Sequence, residues 1–172
     1  MKKIRVGING FGRIGRTLGR LLLETNDIDW VAVNDLSDTH TLSHLFKYDS
    51  VHGPFNKNVL CEGDVMKAGN KEIQFFHEDK PENIPWESLN IDIVIESTGK
   101  FKTRKKAKGH LKAGAQLVIL SAPPDDESIK MIVLGVNDEI LNGDEKIISN
   151  ASCTTNSAAP MIKLINDNCE IE

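Results

Sequence analysis

The stretch IRVGINGFGRIGRTLGRLL, residues 4–22, decides the fold. Its first part alternates, with Ile4, Val6 and Ile8 at the two-residue period of a strand. From Arg13 the period changes: Ile14, Leu18, Leu21 and Leu22 fall at i, i+4, i+7 and i+8, one face of a helix. Between the two lies Gly10-Phe11-Gly12-Arg13-Ile14-Gly15, the pattern G-x-G-x-x-G. Strand, glycine loop and helix in this order form a dinucleotide-binding turn. Gly10 permits the tight turn, Gly12 lets the backbone approach a pyrophosphate, and Gly15 lets the helix pack close to the sheet. Free N–H groups and the helix dipole then attract the phosphates.

A second strand over residues 30–33 ends at Asn34-Asp35, and Asp35 lies 20 residues after Gly15. That spacing places a carboxylate to accept hydrogen bonds from an adenosine ribose. The same charge repels a 2′-phosphate, and Leu36 offers no cation to offset it, so NAD is favoured over NADP. Further strands are expected over 91–95, 117–120, 132–136 and 146–148, and a helix over 103–112 ended by Gly114. Alternating strands and helices give an α/β fold, a Rossmann-type doubly wound and mainly parallel sheet. Residues 49–86 break the rhythm with short strands near 59–60 and 73–76 and turn residues Gly53, Gly63, Asp64, Gly69 and Asn70. They read as a hairpin-rich insertion rather than a second domain.

The segment Ser149-Asn150-Ala151-Ser152-Cys153-Thr154-Thr155-Asn156 follows a strand and opens a helix running to about residue 168. Ser152 is a fitting N-cap. Cys153 then occupies the first turn, where the dipole favours a thiolate and nearby N–H groups can hold an oxyanion. The alternative is a buried cysteine serving as a small apolar side chain. Polar neighbours on both sides count against it. Cys61 and Cys169 lack this setting. The division expected is a cofactor domain over 1–152 and, over 153–172, a nucleophile helix that begins a further domain. The chain end reads as a cut.

Composition narrows the remaining classes. The chain has 172 residues, 40% hydrophobic and 27% charged, enough for a real core and too apolar for disorder. Its formal net charge of −4 gives no overall basic footprint for nucleic acid, and no apolar run has the length of a membrane helix. Three widely spaced cysteines make no disulfide framework and point to a reducing, cytoplasmic compartment. Lys102, Arg104, Lys105, Lys106 and Lys108 form a basic run, read as a solvated helix face because no aromatic beyond Phe101 interleaves it for base stacking. Asp125-Asp126-Glu127 reads as a loop and helix-start cluster, without converging metal ligands. His44 and His52, flanking Tyr48 and Asp49, read as loop stabilisers.

The motifs VGINGFGRIGR (6–16), Asn34-Asp35, KYDSVHG (47–53), ESTG (96–99), Ser121-Ala122-Pro123 and SNASCTTN (149–156) closely resemble the phosphorylating glyceraldehyde-3-phosphate dehydrogenases of type I. The resemblance covers this whole chain and about the first half of a family member. It implies that Gly10, Phe11, Gly12, Arg13 and Ile14 meet the NAD pyrophosphate, chiefly through backbone at Arg13 and Ile14. Asn34 and Asp35 would meet the adenosine end. Asp79 would lie near the adenine, where the family often has a basic residue, with Lys80 beside it as a substitute. Thr98 and Gly99 would line the cleft and Ser121 the nicotinamide side. Cys153 would be the nucleophile, with Ser152 and Thr154 beside the substrate.

The resemblance further implies oxidation of glyceraldehyde 3-phosphate with inorganic phosphate to 1,3-bisphosphoglycerate, in a homotetramer. Ser157 stands where the family commonly has a second cysteine. None of His40, His44, His52, His77 and His110 matches the family's catalytic base, so the chain by itself is expected to bind NAD without turnover. Erythrose-4-phosphate dehydrogenase is a neighbouring alternative within the family, and an RNA-binding use of the nucleotide fold is a further one.

Overall fold

A computed structural model describes residues 2–169. The last three residues of the 153–172 segment therefore lie outside the described residues, as does Met1. In chain order the elements are β1 (Ile4–Asn9), α1 (Arg13–Leu22), β2 (Ile28–Asn34), α2 (Thr39–Lys47), β3 (Tyr48–Asp49), β4 (Gly53–Pro54), β5 (Val59–Glu62), β6 (Val65–Ala68) and β7 (Lys71–Phe76). They continue with β8 (Ile93–Glu96), α3 (Arg104–Lys112), β9 (Leu117–Leu120), β10 (Lys130–Met131), β11 (Ile147–Ser149) and α4 (Cys153–Cys169). Among the described residues nine strands form one sheet in the order β10-β11-β9-β8-β1-β2-β7-β6-β5, while β3 and β4 pair separately. All pairs from β10 to β7 are parallel; β7-β6 and β6-β5 are antiparallel. The chain winds outward from β1 in both directions, so the crevice beyond β1 and β8 is a topological switch point.

The sheet carries apolar layers on both faces. One holds Val6, Ile8, Trp30 and Val33 beneath α1 and α2, with Leu22, Leu42 and Phe46 from the helices. Phe11 sits inside this layer, its ring centroid 5.8, 5.7 and 5.5 Å from those of Trp30, Phe46 and Phe75. The other face holds Trp86, Ile91 and Val94, and beside them Val118 and Leu120 with Ala107 of α3. An indole covers each face of the β1–β2 centre, and each needs a glycine opposite. A Cβ on Gly19 would lie 2.7 Å from the Trp30 ring, and one on Gly7 2.7 Å from Trp86.

Strand β2 carries a bulge. Val6 pairs with Trp30, but Gly7 pairs with Ala32, and this shifted register persists to the Asn9–Asn34 pair. Trp30 and Val33 consequently face the same layer although three residues separate them.

Three details of the expected fold need correction, and one helix was not expected. The buried stripe of α1 is Gly15, Gly19 and Leu22, with Leu18 half-buried, whereas Ile14 and Leu21 are 59% and 56% exposed. Close approach over Trp30 selects the glycine side of the helix. No strand spans 132–136: β10 ends at Met131, and Val133, Gly135 and Asn137 enter a turn closed by Asn137 Oδ1 accepting the Val133 N–H. Residues 49–86 include β7, a parallel strand of the main sheet beside β2, so the hairpins extend the sheet rather than decorate it. Before them runs α2, which sequence periodicity did not reveal and which Asp38 caps by accepting the Thr41 N–H at 2.8 Å.

The charged clusters serve the fold. Lys102 pairs with Asp125 at 2.7 Å, and the Arg104 guanidinium donates to Ser128. No helix starts at Asp125-Asp126-Glu127. Asp126 instead accepts the Arg104 N–H at the start of α3, and its hydrogen bonds from Ser128 and Arg104 hold its carboxyl below the usual carboxylate range. Asp49 accepts the N–H groups of His52 and Val51 in the β3–β4 turn, which lowers its pKa to about 2. His44 stands on α2 with its ring against Tyr48.

Candidate functional site

Parallel strands present their carboxyl ends on one side of a sheet, and here β1, β2 and β8 end in Asn9, Asn34 and Glu96, each at most 4% exposed. Just beyond them opens a cleft of about 340 Å³. Its lining contains Asn9, Gly10, Gly12, Asn34, Asp35, Leu36, Ser37, Glu78, Asp79, Ser97, Thr98, Lys100 and Phe101.

The glycine loop forms the near wall. Gly10 has φ +93°, and a Cβ there would fall 2.6 Å from the Thr98 nitrogen. Gly12 is the N-cap of α1, and a Cβ on it would meet nothing within 4 Å. Above it the first N–H groups of α1, those of Arg13, Ile14 and Gly15, have no acceptor within the helix. Gly15 departs from the expected role: its Cβ would lie 2.2 Å from the Gly10 carbonyl oxygen, so it keeps the loop folded under the helix, while the close contact with the sheet is made at Gly19.

Asp35 closes the far wall. Its Oδ2 accepts the Phe11 N–H at 2.7 Å and its Oδ1 the Ser37 N–H at 2.9 Å. The acid is therefore tied to the glycine loop as well as facing the cleft. The Ser97 hydroxyl donates to the Gly10 carbonyl at 2.6 Å and holds the loop from the β8 side. Asn34 donates to Asn9 Oδ1 at 2.8 Å and to the Glu78 carbonyl at 2.9 Å.

Of the residues singled out in the sequence, Gly10, Gly12, Asn34, Asp35, Asp79 and Thr98 meet in this cleft. The Phe11 side chain does not, being fully buried in the aromatic layer. Arg13 and Ile14 are exposed on α1, and Gly99, exposed with φ +73°, is outside the lining but between its members Thr98 and Lys100. Ser121 is half-buried at the end of β9, its N–H given to the Glu96 carbonyl. Lys80 is outside the lining; the basic lining residue is Lys100. Sequence reading passed over Asn9, Ser37, Glu78, Ser97 and Lys100. A polar residue closing the apolar run Val6-Gly7-Ile8 was the available signal for Asn9.

Cys153 begins α4 beyond the end of β11 and is exposed. The Ser152 hydroxyl accepts the Thr155 N–H at 3.0 Å and caps the helix as expected. Ala151 reaches this cap through a left-handed φ of +57°. Asn156 Nδ2 donates to the Asn150 carbonyl at 2.6 Å and so ties the first turn to the loop. Thr154 is exposed beside Cys153. Beyond that turn no residue of α4 is buried, and Met161, Ile162, Leu164 and Ile165 are all more than half exposed.

Residues 4–104 match the family model described as glyceraldehyde 3-phosphate dehydrogenase, NAD binding domain. The chain belongs to the glyceraldehyde-3-phosphate dehydrogenase family. It is 51% identical to the glyceraldehyde-3-phosphate dehydrogenase of Mycoplasma pneumoniae over 167 residues, covering 97% of this chain and 50% of that protein. Similar matches are the Clostridium pasteurianum enzyme, 48% identical over 98% of this chain and 50% of the relative, and that of Mycolicibacterium smegmatis, 51% identical over 95% and 50%. The chain spans about half the length of these glyceraldehyde-3-phosphate dehydrogenases. The glycine loop, the cleft and the aromatic layer all fall within the NAD binding domain match, and Cys153 lies beyond it. No helix among the described residues is long and apolar enough to cross a membrane.

Proposed function

We propose that this chain is the cofactor-binding half of a phosphorying glyceraldehyde-3-phosphate dehydrogenase, with NAD in the cleft and Cys153 as nucleophile. The observation that carries the reading is the open space over Gly12, beneath unshared helix-start N–H groups and opposite the Asp35 carboxylate. The residues present fit the cofactor. Backbone N–H groups at Gly12, Arg13 and Ile14 would hold the pyrophosphate. Each Asp35 oxygen accepts one backbone N–H and keeps capacity for a ribose hydroxyl. Thr98 and Gly99 would flank the bound molecule, and Ser121 would stand on the nicotinamide side. Bound NAD supplies the acceptor for a hydride.

The protein's own chemistry is that of the thiol. Cys153 sulfur attacks the aldehyde carbon of glyceraldehyde 3-phosphate to give a hemithioacetal, and helix-start N–H groups stabilise the oxyanion. Ser152 and Thr154 lie beside the reacting carbon and the substrate phosphate. Loss of hydride leaves a thioester on Cys153. Inorganic phosphate attacks that carbonyl, releasing 1,3-bisphosphoglycerate and the thiolate. A base is needed for the first step; none of the five histidines matches the family's base, and among the described residues none hydrogen-bonds to Cys153. The 172 residues alone therefore bind cofactor and hold a reactive thiol without turnover. In a chain of the relatives' length we expect a homotetramer, and three free cysteines support a cytosolic setting.

Calorimetric titration of the folded chain with NAD and NADP tests the reading. Saturable binding that prefers NAD is expected. Asp35→Ala should weaken NAD by about tenfold or more, the scale of a hydrogen bond to a charged group. A folded chain that ignores NAD would refute the proposal.

A further inference from the structure

Behind the cleft stands a carboxylate that does not line it. Glu96 ends β8, is 2% exposed, and receives four donors. Oε1 accepts the Thr98 N–H at 2.8 Å and the Thr98 hydroxyl. Oε2 accepts Asn9 Nδ2 at 2.5 Å and His110 Nε2 at 3.1 Å. The direction of this last bond is set from the opposite side of the ring. Trp86 Nε1 lies 3.0 Å from His110 Nδ1, and an indole N–H can only donate. Nδ1 accepts, so Nε2 carries the ring proton and gives it to Glu96. An ionised carboxylate accepts at both oxygens and donates nothing, which matches four converging donors. A glutamine in its place would turn an NH2 group toward two of them.

Three of those donors, on the two residues Asn9 and Thr98, belong to the cleft walls. With its Nδ2 committed to Glu96, Asn9 presents Oδ1 to Asn34 Nδ2 at 2.8 Å. Asn34 then presents Oδ1 to the Glu78 N–H at 2.8 Å. The Thr98 hydroxyl, having given its proton to Glu96, accepts the Lys100 N–H at 3.1 Å. The donor and acceptor directions of these wall residues thus follow from one buried charge.

We propose that Glu96 is a positioning residue for the cofactor: it touches nothing in the cleft and fixes the donor and acceptor directions of Asn9, Asn34 and Thr98. The inference rests on the reading of the cleft as the NAD site.

The test titrates NAD into the parent chain, Glu96→Gln and Val118→Ala, with each folded fraction measured, and records the Asn9 side-chain amide by NMR. Val118 is buried among Ala107, Leu120, Ile129 and Ile147 and contributes no side-chain hydrogen bond to the network, so it reports the effect of lost packing. Expected are an affinity within about twofold of the parent for Val118→Ala, and about a tenfold loss for folded Glu96→Gln, with the Asn9 amide signals displaced. Parent-like affinity in Glu96→Gln would overturn the proposal, as would equal losses in both variants. No binding by the parent would refute the cofactor reading itself and the role of Glu96 with it. Should Glu96→Gln fail to fold, Trp86→Phe keeps an apolar aromatic ring, smaller than the indole, and removes the N–H that orients His110. Weaker NAD binding with a displaced Asn9 amide then supports the proposal, and an unchanged pair of readings overturns it.

Discussion

Two alanine substitutions in the glycine loop should separate folding from binding. At Gly15 the new Cβ would lie 2.2 Å from the Gly10 carbonyl oxygen, a backbone atom. Cβ contacts essentially never fall below 3.0 Å, so the carbonyl must retreat by at least 0.8 Å. Ser97 and Thr98 hold that turn from the other side, and it cannot retreat freely. Overpacking of this kind costs about 1–3 kcal/mol, against about 1 kcal/mol regained from alanine's helix propensity. Gly15→Ala should therefore be destabilised by up to about 2 kcal/mol and lose NAD binding as the loop moves. At Gly12 the backbone is ordinary, with φ −69°, and the Cβ meets open space. Gly12→Ala should stay within about 0.5–1 kcal/mol of the parent, the small cost of alanine at an N-cap, and yet bind NAD poorly because the methyl occupies the cleft. Urea unfolding followed by circular dichroism gives the stabilities, and calorimetry the affinities. A Gly15→Ala chain more stable than the parent would refute the close contact. A Gly12→Ala chain with undiminished affinity would refute the placement of the pyrophosphate.

Phe11→Ala should cost about 3–5 kcal/mol, since it empties the middle of the aromatic layer; an unshifted urea midpoint would contradict that packing. Cys153 and Cys169 are both exposed and sit at opposite ends of α4, the first beside the free N–H groups of the helix start and the second beside its last carbonyls. Iodoacetamide with peptide mapping should find Cys153 labelled about three- to tenfold faster, and equal rates would remove the helix-start argument. Asp49 has a folded pKa of about 2, below the ordinary 3.8. Its contribution to the β3–β4 turn is complete above about pH 4 and is lost as the pH falls through about 2. A carboxyl titration of Asp49 by NMR checks this, and an ordinary midpoint would show the turn open in solution.

The glycine loop, β1, β9 and the cap of α4 were legible because each rests on local chemistry: an alternation, a glycine spacing, a serine before a helix. The Asp35 wall was legible for the same reason. What local chemistry could not supply was α2, where Thr39, Leu42, Ser43 and Phe46 bury a face too polar to stand out as periodic. Nor could it show that Ile14 and Leu21 are exposed, because the choice of helix face is made by the bulk of Trp30 across the sheet. The place of β7 in the parallel sheet depends on pairing with β2 across some forty residues. Glu96 appeared only as a letter in ESTG, since its meaning lies in donors from Asn9 and His110 that are distant in sequence.

The bulge in β2 sets the frame in which the cleft is read. Before it, strand positions pair with an offset of 24 residues, and after it with 25. Had the first offset persisted, Asn9 would face Val33, and the amide pair at the strand ends would be an amide against a methyl group. One extra residue acts as a spacer that delivers Asn34 opposite Asn9 and Asp35 within reach of the Phe11 N–H. A single-residue deletion between Trp30 and Ala32 would slide every polar group of the far wall out of step with the near one.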